Sequence, residues 1–173
     1  LSEDIKNLFE NLIKLHDIGK CRKEFQEYIR KLEEEGFARS PGSHTLWSLE
    51  DLRNINIENL KREYLPLLYF LIAKHHSNLT LKFDDDIARV IKELIQKYYY
   101  NINTQEDIRK LHNLSSLPKE ELIIATNFYI SPPIGALRLF FENYLRKLNK
   151  DALFDIADLF GLFKISDSLS AQN

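Results

Sequence analysis

Residues 3–17 read EDIKNLFENLIKLHD, and the spacing of their apolar side chains decides the fold class. Ile5, Leu8, Phe9, Leu12, Ile13 and Leu15 recur mostly at intervals of three and four, which aligns them along one stripe of an α-helix. Ser2 stands where an N-cap belongs. The helix delivers His16 and Asp17 at its end, and Gly19 is expected to loosen or stop it.

Outward from that helix, the same spacing recurs. Phe25, Tyr28, Ile29 and Leu32 are expected to face inward on a second helix ending at Gly36, and FARSPGSH, residues 37–44, reads as a loop. A short helix runs from about His44 to Leu52. A longer one holds Tyr64, Leu67, Leu68, Phe70, Leu71 and Ile72, with Pro66 in its first turn, where the missing N–H does no harm. Asp84 to Asp86 offer cap and dipole-complementing carboxylates to a helix through Ile95, which YYYNIN, residues 98–103, then breaks. Further helices begin at Thr104, at Pro118 and at Pro132-Pro133. The last holds Leu153 to Phe163 and runs into KISDSLSAQN. No period-two alternation is long enough to require a strand, and no internal repeat is present. The expectation is an all-α fold, a compact helical bundle, with residues 1–173 as one domain whose 44% apolar content fills a single core.

Composition excludes several classes. No apolar run approaches the roughly 20 residues that cross a bilayer, and the first residues carry no signal pattern, so a cytoplasmic protein without a membrane partner is expected. The start at Leu1 suggests a trimmed N-terminus. The single cysteine, Cys21, rules out an internal disulfide and a cysteine zinc site. A net charge of −2 argues against a broad duplex-binding face. Local basic clusters remain: Lys20, Arg22 and Lys23 directly after the His-Asp pair, and Arg146, Lys147 and Lys150, and such clusters are usually solvated helix faces. No phosphate-loop motif supplies helicase chemistry.

Four of the five histidines sit at element ends or in adjacent pairs. In His16-Asp17 the imidazole is a good ligand for transition metals, and the carboxylate can bridge two ions through its two oxygens. His44 opens a helix after a Pro-Gly-Ser loop, from where its ring can enter a cleft. His75-His76 closes a strongly apolar helix. Asp167 lies in an apolar context, where an unpaired carboxylate costs several kcal/mol unless a cation or donor meets it. Taken singly, each of these reads more readily as a capped or surface residue. His112 fits no pattern, and Trp47 and Tyr98 to Tyr100 are better explained by packing than by base stacking.

Taken in order, HDIGKCRKEFQEYI, SHTLWSLEDL, IAKHHSN and ISDSLSAQ resemble the HD nuclease domain of type I CRISPR interference systems, within the HD phosphohydrolase superfamily. That nuclease occurs fused to a helicase or as a separate subunit. The resemblance implies that His16, Asp17 and Asp167 hold one divalent ion and that Asp17 bridges to a second held by His44, His75 and His76. Asp17 and Lys20 become the candidate catalytic groups, Lys20 as a point charge for a phosphate oxygen. Two ions so placed can activate water and stabilise the leaving oxygen of a phosphodiester. Histidine-rich ligation suits Mn, Fe, Co, Ni or Zn better than Mg. The family usually carries one more histidine upstream, and none precedes His16. The expected activity is cleavage of single-stranded DNA beside a separate CRISPR-associated helicase and surveillance complex. The alternatives are an HD phosphohydrolase of nucleotides or cyclic oligonucleotides, and a degenerate HD module that only docks.

Overall fold

A computed structural model describes residues 1–39, 42–114 and 117–172. Ser40 and Pro41, within the loop read at 37–44, lie outside the described residues. Those described form nine α-helices and no strand: α1 Glu3–Leu15, α2 Lys23–Glu35, α3 His44–Asp51, α4 Leu65–Lys74, α5 Asp85–Leu94, α6 Gln105–Leu114, α7 Lys119–Ile130, α8 Pro133–Arg146 and α9 Lys150–Gln172. The all-α expectation holds.

Helix starts follow local chemistry. The Ser2 hydroxyl accepts from the Ile5 N–H at 3.2 Å, with Glu3 and Asp4 in the first turn facing the positive end of the dipole. Ser43 caps α3 in the same way, accepting from the Leu46 N–H at 3.2 Å. At α6, Thr104 accepts from the Asp107 N–H while Asp107 accepts in return from the Thr104 and Asn103 N–H groups, a reciprocal cap. Asp84 occupies the N-cap position of α5, but its side chain makes no capping bond, so its contribution there is one of charge alone. Gly36, with φ of 79°, ends α2 in the left-handed conformation.

Helix α4 is apolar on every side, and Pro66 through Ile72 are all buried, so it forms the centre. Helices α1 and α3 pack on it; α3 also meets α5, α5 meets α8, α8 meets α7, and α7 meets α6. Each fully buried side chain of this set, Leu68 among them, contributes about 1.5–3 kcal/mol by leaving water. The tyrosine run does not end α5 abruptly. The helix widens into a π-turn, Ile95–Tyr99, which turns Tyr99 and Tyr100 onto Phe140, while the Tyr98 hydroxyl donates to the Arg53 carbonyl.

Helix α2 departs from expectation. None of its residues is buried; Phe25, Tyr28, Ile29 and Leu32 are only half-covered and lie outside the core cluster. Helix α9 is long but buries little: Ile156 and Phe160 are its buried side chains among the described residues. Its Lys164 ammonium donates to the Ser77 carbonyl at 2.7 Å, tying it to the segment that follows α4. No helix of the described residues is long and apolar enough to cross a membrane.

Candidate metal centre

Helix α1 ends at His16, whose backbone N–H still bonds the Leu12 carbonyl. Its ring Nδ1 lies 3.0 and 3.1 Å from the carbonyls of Leu12 and Ile13, so Nδ1 carries hydrogen and donates. That fixes the ring and turns Nε2 outward, 3.2 Å from both Asp17 Oδ2 and Asp167 Oδ1. The edge of Phe163 closes the other side, at a centroid separation of 4.8 Å.

The chain then leaves helical geometry through a short 3₁₀ turn, Ile18–Cys21, which carries Asp17 toward the start of α3. Gly19 makes that approach feasible. A Cβ there would stand 2.5 Å from the His44 carbonyl oxygen and 2.6 Å from the Ser48 nitrogen, closer than any side chain tolerates. Its N–H donates to the buried Ser48 hydroxyl at 2.9 Å, which sets the spacing between turn and helix. The expectation had Gly19 only as a helix stop; its larger role is to let two backbones touch.

His75 and His76 follow α4. The Nδ1–H of His75 donates to the Ile72 carbonyl at 2.6 Å and leaves Nε2 buried and pointing at Asp17 Oδ1, 3.5 Å away. His44 Nε2 lies 3.4 Å from the same oxygen and 2.9 Å from His76 Nε2. The buried Lys74, one residue earlier, donates to the Lys82 carbonyl with its ammonium 4.3 Å from the Phe83 ring centre, and so holds the connection after the histidine pair.

Two groups result. The ligand atoms of Asp17, His44, His75 and His76 all lie within 4.8 Å of one another, as do those of His16, Asp17 and Asp167, and Asp17 belongs to both. Ligands about 2.1 Å from a common ion stand about 3.0–3.5 Å apart in octahedral or tetrahedral arrangements. The separations of 2.9–3.5 Å fall in that range. A second observation concerns bonding. Asp17 Oδ1 and His75 Nε2 are buried and lack a hydrogen-bond partner. An acceptor nitrogen facing a carboxylate oxygen in low dielectric is costly unless positive charge lies between them. The residues present therefore fit a divalent cation.

The electrostatics agree. Burial opposes ionisation of Asp17, but the imidazoles of His16, His44 and His75 outweigh it and hold the carboxyl far below the usual range. Burial likewise opposes protonation of His16, and Asp17 with Asp167 overcomes it, raising its pKa to about 9. His76, though its outer edge is exposed, goes the other way, down to about 4, through partial desolvation of the ring and the proximity of the His75 and His44 imidazoles. It is thus available as a neutral ligand at neutral pH.

The other sequence candidates fall as follows. Lys20 Nζ donates to Asp17 Oδ2 at 3.1 Å, at the edge of the second group. Arg22 is committed elsewhere: it pairs with Asp51 at 2.7 Å and lies 5.3 Å from the Trp47 ring centre, so it is not a free cation beside the site. Arg146 and Lys147 pair with Glu120 and Glu121 of α7. His112 meets Thr126, away from both groups. A hollow of about 620 Å³ is lined mainly by apolar side chains such as Leu67, Phe70, Leu81 and Phe154, with no histidine or carboxylate, and is not this site. Ser48, Gly19 and Lys164 were not legible as site-builders, because each acts through a contact distant in sequence.

The chain matches no known protein family, no curated protein and no solved structure.

Proposed function

We propose that this protein is a divalent-metal-dependent phosphodiesterase of the HD nuclease type, acting on single-stranded DNA. One observation carries the reading: a buried carboxylate, Asp17, shared between a three-histidine group and a His-Asp group. That arrangement suits two cations at one phosphodiester. When bound, such ions supply water activation and stabilise the leaving oxygen.

The chain's own residues do the rest. Nδ1–H bonds to helix carbonyls hold His16 and His75 with Nε2 forward. His76 is exposed, so the three-histidine group opens to solvent and can accept a bulky substrate. Lys20, 37% exposed and resting on Asp17, is placed to swing onto a phosphate oxygen. With a net charge of −2 and Arg22 sequestered by Asp51, little basic surface is left to grip a duplex, whereas one flexible strand needs few phosphate contacts. Strand separation then falls to a partner, a separate helicase acting with a surveillance complex that exposes the strand.

The test is to incubate the purified protein with a labelled single strand, a blunt duplex of the same sequence and a nucleotide panel, each with Mn²⁺, Mg²⁺, Co²⁺, Ni²⁺ or Zn²⁺. Cleavage of the single strand well above the duplex is expected. Equal rates on both would refute the strand preference, and hydrolysis of a nucleotide alone would replace the reading with a nucleotide phosphohydrolase.

A further inference from the structure

Helix α2 presents apolar side chains that no core residue covers, and it does so at the mouth of the three-histidine group. The Phe25 ring stands 6.0 Å from the His44 ring, edge-on at 62°, and 5.9 Å from the Tyr28 ring. Both aromatics are half-buried and neither joins the core cluster. Their helix is nevertheless tied to the site. The Gln26 side chain, next to Phe25, donates to the Lys20 carbonyl at 2.6 Å, which pins the first turn of α2 to the 3₁₀ turn after Asp17. A partly solvated aromatic pair, one ring of which meets the candidate ligand His44, is poorly explained by packing, because it joins no shared core.

Resting on the phosphodiesterase reading, we propose that Phe25 and Tyr28 form a nucleobase-stacking wall for the strand whose phosphate lies at the Asp17, His44, His75 and His76 group. With the Phe25 ring 6.0 Å from the His44 ring, a strand whose phosphate lies at His44 passes directly beside this pair. Stacking uses the π-face common to all bases, so the wall confers affinity for base-bearing strands without sequence preference. A single contact of this type changes affinity about tenfold or more. Lys20, on the turn that Gln26 grips, supplies the accompanying positive charge.

The decisive measurement is binding of two labelled, phosphorothioate-linked single strands of equal length, one ordinary and one abasic, followed by fluorescence anisotropy in Mn²⁺. Phe25→Leu keeps an apolar side chain but removes the π-face; it should weaken the ordinary strand about tenfold and leave the abasic strand unchanged. Phe25→Trp should bind the ordinary strand at least as well as the native protein. Tyr28→Leu gives the same comparison at the second ring, independently of any folding effect at Phe25. Equal affinity of native and Leu variants for the ordinary strand overturns the wall, as does an equal loss on both strands or no binding of either. Cleavage of an ordinary phosphodiester strand by the native protein is scored separately: its absence with every metal rejects the phosphodiesterase reading, while the base-dependent binding difference still decides whether Phe25 and Tyr28 stack on bases.

Discussion

The Nε2 atoms of His44 and His76, contributed by different helical segments, stand 2.9 Å apart. Two imidazole lone pairs do not face each other at that distance without a proton or a cation to share. In the ion-free protein one ring must carry the hydrogen, and partial desolvation with the neighbouring imidazoles lowers the basicity of His76. A divalent ion satisfies both nitrogens at once. His76→Ala is therefore expected to lower the affinity of the three-histidine group by about 10- to 100-fold while leaving the fold intact, as read by competition with a metal-sensitive dye and by circular dichroism.

Substitution of the shared carboxylate should be more severe. Asp17→Ala removes a ligand from both groups, so bound metal measured by mass spectrometry should fall at both together and strand cleavage should drop below detection. His112→Ala, on α6 and far from either group, should behave as the native protein. An Asp17→Ala protein that folds and retains native turnover would end the shared-ligand assignment.

Gly19→Ala tests the close approach of turn and helix. The added methyl has backbone atoms at 2.5 and 2.6 Å and cannot be relieved by rotating a side chain. Overpacking of this kind costs about 1–3 kcal/mol, a fall in melting temperature of roughly 2–12 °C for a chain of this size. Ion affinity should fall with it, since Asp17 and His44 are displaced together. Differential scanning calorimetry with and without Mn²⁺ measures both effects.

The pH dependence follows from His16. Its pKa is raised to about 9 from an ordinary 6.5, so its contribution to the stability of the ion-free protein is fully present below pH 6.5 and is lost as pH rises through 9. Ion affinity runs in the opposite sense. A cation at the His16, Asp17 and Asp167 group must displace the Nε2 proton, so affinity rises with pH until about 9 and binding at pH 7 releases protons. Calorimetric titrations in two buffers of different ionisation enthalpy should disagree by the heat of that proton; identical heats would contradict the assignment.

Lys164→Met cuts the tie between α9 and Ser77, and with it the ammonium 5.9 Å from the Phe160 ring centre, but keeps an unbranched apolar side chain of similar length. The stability change should stay within about 1 kcal/mol, as for other exposed polar contacts. Ion binding at the Asp167-containing group should nevertheless weaken several-fold, which distinguishes a positioning role from a merely stabilising one.

Much of the fold was legible because its signals are local. The Ser2 cap, the helix from Glu3 to Leu15, the proline at the start of α4 and the glycine after α2 each depend on residues within one or two turns. What escaped the sequence depends on partners far along the chain. The apolar pattern of α2 marks an amphipathic face but does not say whether anything packs on it, and nothing in the core does. Arg22 reads as a free cation until Asp51, 29 residues on, claims it. The tyrosine run reads as a helix breaker because a π-turn preserves helical direction with none of the usual stop residues. For the candidate site, the sequence named the residues through a resemblance; only three-dimensional placement could bring positions as distant as 16 and 167 within 3.2 Å.

The slender anchoring of α9 makes the two ligand groups unequal. Asp17, His44 and His75 hang from elements that share the central core, so the three-histidine group is preorganised. Asp167 rides a 23-residue helix whose buried side chains, among the described residues, are Ile156 and Phe160, a light anchorage. A cation entering the first group would meet ligands already in place, whereas one entering the second would have to draw on a ligand carried by a lightly anchored helix. Were both groups to bind cations, the three-histidine group would fill first, and an ion at the second would act as a clasp between the first helix and the last.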